Sequence, residues 1–160
     1  MIFVTVGSML PFDRLIAATD AWAGTTGHEV FAQIGNSQYQ PRHMRFAQML
    51  TPGEFSERLR AATLIVAHAG MGTVISAMEA GKPIVVVPRM ASAREVTTDH
   101  QIHTATWLKE KPGVYVAATE SELAFVIGGA LDALGAAPDP LQVSAPPEFV
   151  ARIRSFLVDC

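Results

Sequence analysis

Cysteine is nearly absent from this chain. Cys160 is the only one, so no internal disulfide can form and a reducing, cytoplasmic compartment suits it. Charge is scarce as well: Asp, Glu, Lys and Arg make up 17% of the residues, against about a quarter in an ordinary globular domain. So few charges point to apolar surface that a partner covers. Neither sign clusters. Net charge is −3 with no basic run, which argues against a nucleic-acid partner. No Asp-x-Asp pair occurs that would hold a divalent cation, and no metal cofactor is expected. A basic, apolar leader with a small-residue cleavage site is missing too, and the chain enters an apolar run at Ile2; the expectation is a protein without a targeting segment. The one long uncharged stretch, Ala61–Met78, carries His68, Gly70 and Gly72 in its middle and reads as soluble core, not as a spanning helix.

What is present is concentrated between Ala61 and Arg89. Thr63–Ala67 and Ile84–Val87 are short β-rich apolar runs without alternation, the pattern of buried parallel strands. Thr73–Ala80 has helical composition and is closed by Gly81 and Pro83. The joint, His68-Ala69-Gly70-Met71-Gly72-Thr73, sets two glycines just ahead of a helix N-terminus. Backbone N–H groups and the helix dipole converge there into an anion site, most often for phosphate. A purely steric reading stands beside it, in which Gly70 and Gly72 only permit a tight turn. Two nucleotide fingerprints fail. Gly70-Met71-Gly72 is followed by Thr73-Val74-Ile75 with no third glycine, and the next strand ends in Val87-Pro88-Arg89 with no acid. Gly81-Lys82-Pro83 lies at a helix end, where a P-loop needs its Gly-Lys-Ser/Thr at a helix start.

The rest of the chain extends the same alternation. Ile2–Val6, His28–Ile34, Arg45–Leu50 and Val114–Val116 read as further strands; Phe12, Leu15, Ile16 and Trp22 mark a first helix and Glu120–Leu134 a last one. Thr51 is a candidate cap for a helix with Phe55 and Leu59 on its inner face, and Asp99 for the helix that continues His100-Gln101. The expectation is α/β: a single Rossmann-like lobe with a parallel sheet of about six strands over residues 1–134. A proline- and alanine-rich connector follows over 135–147, then a C-terminal helix over 148–160 with Phe149, Ile153, Phe156 and Leu157 on one stripe.

Open α/β sheets bind ligands at the carboxyl ends of their strands. By topology Gly7, Ser8, His68, Ala69, Gly70, Met71, Gly72, Thr73, Arg89 and Gln101 gather there. Thr73 would meet a phosphate with hydroxyl and N–H. Gly7-Ser8 lies in the loop after the first strand, at that ligand-binding edge, and is otherwise an ordinary turn. His68 either donates to the anion or is a satisfied supporting group, and Arg89 either neutralises phosphate or is solvated. Gln101 carries both donor and acceptor, as sugar hydroxyl recognition requires. His100 and His103 lie three apart on one helix, yet no third ligand accompanies them and a zinc site is not expected.

The sequence H-A-G-M-G-T, then G-K-P-I, P-R and D-H-Q, together with the opening FVTVGSMLPFDRLI, resembles the donor-binding half of GT-B glycosyltransferases over roughly residues 2–130. The similarity is to the family 28 C-terminal domain. That family also supplies stand-alone members: the soluble subunit of the eukaryotic dolichol-linked UDP-GlcNAc transferase and PssE/EpsF-type subunits of bacterial exopolysaccharide assembly. The resemblance implies half of a GT-B fold that binds a UDP-sugar. It also implies the catalytic donor role in a two-subunit inverting glycosyltransferase of exopolysaccharide or lipid-linked glycan synthesis. The partner implied is a membrane-anchored acceptor-binding subunit, which brings the lipid-linked glycan and the base, and recruits this cytoplasmic chain to the inner face of the membrane. A non-catalytic nucleotide-binding or scaffold module is the competing reading. The resemblance places the uracil near the backbone at Thr51 and against Phe55, although Phe55 equally suits core packing. It places the sugar and diphosphate near Asp99, His100 and Gln101. Two departures stand out: Ser76 occupies the position of the family's ribose-binding glutamate, with Glu79 one turn later, and Ile102 that of its second glutamine.

Overall fold

Short β-branched runs alternate with helical stretches, and the computed structural model, which describes residues 1–135, folds them into a single sheet flanked by helices. In chain order the elements are β1 (Ile2–Thr5), α1 (Asp13–Ala23), β2 (Val30–Gln33), β3 (Arg45–Ala47), α2 (Pro52–Ala61), β4 (Leu64–His68), α3 (Met71–Glu79), β5 (Ile84–Val87), α4 (His100–Leu108), β6 (Val114–Val116) and α5 (Glu120–Leu134). The six strands run parallel in the order β3-β2-β1-β4-β5-β6. Ile2 stands opposite Val30 on one side and Leu64 on the other, and Ile65 opposite Ile84.

Successive strand residues face opposite layers. Ile2 and Val4 pack with Leu15 and Ile16 of α1 and with Leu123 and Ile127 of α5. Phe3 faces the other way, into a cluster with Leu59 of α2, Val74 of α3 and Leu108 of α4. Both faces of the sheet are thus covered at its centre, which is why β1, β4 and β5 are almost wholly apolar and do not alternate, whereas the edge strand β3 is largely exposed. From β1 the chain builds outward to β3, then returns to the far side of β1 with β4. That reversal leaves a crevice between the carboxyl ends of β1 and β4, the switch point where such sheets bind ligands.

One crossover has no helix. Residues 34–44 carry the chain from β2 to β3, and two carboxylates of α1 hold them. Asp13 accepts hydrogen bonds from the Ser37 hydroxyl and from the N–H groups of Gln38 (2.8 Å) and Tyr39 (3.3 Å). About two helical turns on, Asp20 accepts from the N–H groups of Arg42 (3.0 Å) and His43 (2.7 Å) and from the Tyr39 hydroxyl (2.9 Å). Asp20 is 1% exposed. Burial pushes its pKa up, but the three donors outweigh burial and hold it below the ordinary aspartate value.

The boundaries of some elements shift from their expected places. The second strand spans Val30–Gln33, inside the expected His28–Ile34. The third stops at Ala47, short of Leu50: its neighbour β2 ends at Gln33 and turns at Gly35, whose φ is +57°, so no partner strand continues beside residues 48–50. Thr51 caps α2 in a full capping box with Glu54. Asp99 sits at the N-cap of α4 but makes no capping bond; its carboxylate accepts from the Ala91 N–H at 2.8 Å and fastens the preceding loop. The helix expected to open at Thr73 begins at Met71, which brings Met71 and Gly72 into its first turn. The connector beyond Gly135 and the helix expected over 148–160 lie outside the described residues. Among the described residues no helix is long and apolar enough to cross a membrane.

Candidate functional site

The turn after β4 is built around His68. Its ring lies between two glycines: a Cβ on Gly7 would come within 2.9 Å of His68 Cε1, and one on Gly70 within 2.1 Å of Nε2. Gly7 also holds φ at +75°, a region glycine alone enters freely. The imidazole thus ties the loop after β1 to the loop after β4, and its Nδ1 is buried without a partner. Burial, helped by the Arg89 charge, lowers the His68 pKa to about 4, so the ring is neutral at physiological pH.

Gly70 is the N-cap of α3 and provides no side-chain cap. Its own N–H donates to the His68 carbonyl at 2.7 Å, and the first helical bond runs from Val74 N–H to Gly70 O. The N–H groups of Met71, Gly72 and Thr73 therefore precede the helical ladder and have no partner within it. Beyond its chain neighbours and the backbone of its own helix, no heavy atom lies within 4 Å of where a Gly72 Cβ would stand. Of the turn's two glycines, the first makes room for His68 and the second faces open space.

Arg89 ends the strand segment with its side chain turned inward, 2% exposed. Its Nη2 donates to the carbonyls of Val6 (2.8 Å) and Leu10 (2.7 Å), Nη1 donates to Pro11 O, and the guanidinium lies 4.7 Å over the Phe12 ring. It is neither solvated nor reserved for a ligand; it clasps the loop after β1. All its acceptors are neutral carbonyls, and no carboxylate among the described residues forms a salt bridge with it. Burial lowers its pKa, but an arginine stays charged in any case. A whole positive charge thus sits beneath the crevice.

These parts enclose a cleft of about 410 Å³ lined by Gly7, Ser8, His68, Gly70, Gly72, Thr73, Arg89, His100 and Gln101, with Met9, Leu10 and Val96 at its apolar side. Gln101 is buried, and its Oε1 accepts from the Arg89 N–H at 3.1 Å. Its carboxamide acceptor is therefore engaged, and the NH₂ is what it offers the cleft. His100 Nδ1 pairs with the Thr98 hydroxyl at 2.9 Å. An adjoining hollow of about 450 Å³ runs toward the corner between β3 and α2, sharing Gly7, Ser8, Gly72 and Thr73 and adding Gln33, Leu50, Pro52, Phe55 and Ser76.

Most expected site residues therefore meet. Exceptions are Ala69, buried behind the turn, and Met71, whose side chain is exposed while its N–H joins the helix terminus. Thr51 spends its hydroxyl on the capping box, though its neighbours Leu50 and Pro52 line the hollow. Asp99 is exposed at the loop it fastens. Phe55 packs edge-on against Phe3 at 5.4 Å, as core packing requires, and also walls the hollow. Gln33 was not legible as a site residue, yet its Nε2 donates to Gly7 O at 3.4 Å. The available signal was a buried amide closing an apolar strand. Among the described residues no three His, Cys, Asp or Glu come together as metal ligands would.

The sequence profile of the glycosyltransferase family 28 C-terminal domain matches residues 1–132. The chain is 26% identical over 143 residues to the UDP-N-acetylglucosamine transferase subunit ALG13 of Yarrowia lipolytica (strain CLIB 122 / E 150), covering 79% of this chain and 69% of that one. Among solved structures it superposes on MurG of Acinetobacter baumannii with a TM-score of 0.59 at 19% identity, covering 81% of this chain and 40% of that one. The solution structure of ALG13 gives a TM-score of 0.58 at 16% identity, with 92% of each chain covered. The glycotransferase of kitacinnamycin gives 0.55 at 15% identity, over 84% of this chain and 37% of that one. The chain thus spans about two fifths of the larger solved enzymes, and at these identities the structural likeness speaks for the fold alone.

Proposed function

As this chain belongs to the glycosyltransferase family 28 C-terminal domain, we propose that it binds a UDP-sugar as the donor subunit of a two-subunit inverting glycosyltransferase. The observation that carries this reading is the electrostatics of the switch-point cleft. The unpartnered N–H groups of the first turn of α3 and the positive end of that helix open on the cleft at Gly72 and Thr73, and the Arg89 charge lies beneath it with its Nη donors already spent on carbonyls. A diphosphate satisfies the N–H groups and is drawn by the field of the cation. The adjoining hollow, walled by Phe55, takes the base, and Gln101 offers its NH₂ to the sugar.

In the proposed reaction an acceptor hydroxyl oxygen attacks the sugar C1 while the bond from C1 to the diphosphate oxygen breaks. The hydroxyl proton passes to a base, and the electron pair of the broken bond stays on UDP. Negative charge growing on that leaving group is met by donors already fixed in place, the arrangement that gives the largest electrostatic gain. The neutral His68 adds no charge of its own; it holds the two loops at the spacing the diphosphate needs. Donor stabilisation of this kind needs no metal. The base and the acceptor, a lipid-linked glycan, would come from a membrane-anchored partner that holds this chain at the cytoplasmic face. The curated relative is itself named as a transferase subunit, which supports a divided enzyme.

Isothermal calorimetry with UDP, with and without EDTA, tests the reading. Binding that survives chelation is expected; strict dependence on magnesium, or no binding at all, would overturn it.

A further inference from the structure

Two arginines cross between the loops that border the cleft. Arg89, at the end of β5, reaches back to the loop after β1. Arg14, in the first turn of α1 just past that loop, reaches the other way. Its Nη2 donates to the Pro88 carbonyl at 3.1 Å, and its Nε and Nη2 hold both oxygens of Glu95, at 3.0 and 2.9 Å. Both guanidiniums lie over the Phe12 ring. Glu95 in turn accepts from the Met90 N–H at 3.0 Å. The segment held in this way, residues 90–100, leads from β5 into α4, and none of it is buried. Its outer side faces an open hollow of about 420 Å³ lined by Ala91, Arg94, Glu95 and Thr97. Hydrogen bonds and an ion pair, not core packing, therefore fix its course. Arg94 shows how firmly. Its φ is +57°, a left-handed conformation that a non-glycine residue keeps only where its surroundings dictate it.

We propose that Arg14 is a positioning residue for donor binding: through Glu95 it sets residues 96–101 as the wall that receives the donor's sugar. The proposal rests on the donor-binding reading above. With the base in the hollow at Phe55 and the diphosphate at the first turn of α3, one side of the cleft is left over. Met9, Leu10, Val96, His100 and Gln101 border it. The first two belong to the loop that Arg89 holds, and the last three follow directly on the segment that Arg14 holds. The crossed arginines thus keep the two walls of the sugar end at a fixed separation. A shift of the Arg14 segment falls on the sugar and spares the diphosphate, whose N–H donors belong to α3. The Arg14 and Glu95 side chains are only 16% and 11% exposed, so solvent and salt screen this pair little. Glu120, the other carboxylate on Arg14, is 47% exposed and belongs to α5, away from the segment in sequence.

The test is calorimetric affinity for UDP and for UDP-glucose, UDP-galactose and UDP-N-acetylglucosamine, on wild type, Arg14→Lys, Glu95→Gln and Glu120→Gln. The UDP-sugar that wild type binds tightest serves as the probe. Lysine keeps the charge of Arg14 but lacks the fork that spans both Glu95 oxygens. Arg14→Lys and Glu95→Gln should each weaken the UDP-sugar about five- to tenfold, the worth of one hydrogen bond to the sugar, and change UDP by less than about twofold. Glu120→Gln should change neither. An equal loss for both ligands, a matching loss in Glu120→Gln, or no loss at all overturns the positioning role while the donor reading stands. Should Arg14→Lys fail to fold, Glu95→Gln decides by the same outcomes. If wild type binds UDP but none of the UDP-sugars, no sugar wall exists and the inference falls. If it binds none of the four, the donor reading itself falls first.

Discussion

The two glycines of the turn after β4 do different work, and substitution separates them. Gly70→Ala drives a methyl into the His68 ring, which is wedged against Gly7 and has little room to move. Overpacking of this kind costs about 1–3 kcal/mol, so a lower melting temperature is expected. Gly72→Val meets only open space and should leave the fold intact, yet fill the volume a diphosphate needs. Loss of UDP binding in a Gly72→Val chain that melts normally is the expected pair of results; unchanged binding would move the site elsewhere. The sequence marked both glycines and no more, because the ring that divides their roles is positioned by tertiary packing. Arg89 was illegible for a related reason. A strand-end arginine reads as a ligand or as solvated, whereas its carbonyl partners lie 78 to 83 residues away along the chain.

Among the elements, the helix-less crossover depends on α1 more than on itself. Asp20→Asn keeps one oxygen for the N–H groups of Arg42 and His43, but it replaces the oxygen that accepts from the Tyr39 hydroxyl with an NH₂, and it removes the charge that strengthens all three bonds. Such a loss typically costs about 1–3 kcal/mol. Because the folded-state pKa of Asp20 is depressed, its contribution is present above the unfolded aspartate pKa and is lost as pH falls through the lower, folded value. Denaturant unfolding at pH 7 should therefore show the full gap between wild type and Asp20→Asn, and unfolding below about pH 4 a shrinking one. A gap independent of pH would count against the carboxylate's role. Local signals served best where local physics decides. Apolar runs gave β5 and β6 to the residue, and the Thr51 cap was visible beside Glu54. Asp99 had the right residue type for a cap, but the Ala91 N–H competes for its carboxylate across a loop that periodicity does not describe.

For the molecule as a whole, the sheet supplies one wall of a cleft and apolar side chains around its rim. Met9, 83% exposed, and Leu10 line that opening, and Met71 is exposed at the turn beside it. A second lobe seated there would cover them and bring the acceptor and the base. Transfer of labelled sugar from UDP-sugars to a lipid-linked acceptor should be negligible with the purified chain and appear when membranes from the source cell are added. Robust turnover by the chain alone would sink the two-subunit reading. UDP binding without transfer under any of these conditions would favour a non-catalytic nucleotide-binding module.

The clasp formed by Arg89 has a bearing on how such a site diversifies. Its hydrogen bonds to the loop after β1 go to main-chain oxygens of Val6, Leu10 and Pro11 and to no side chain of residues 6–11. An anchor of that kind is blind to the spelling of what it holds. Ser8, Met9 and Leu10 can therefore be rewritten by drift or by selection while the loop keeps its course over the cleft. New side-chain chemistry at the rim of the cleft becomes reachable by single steps, without a detour through an unfolded ancestor.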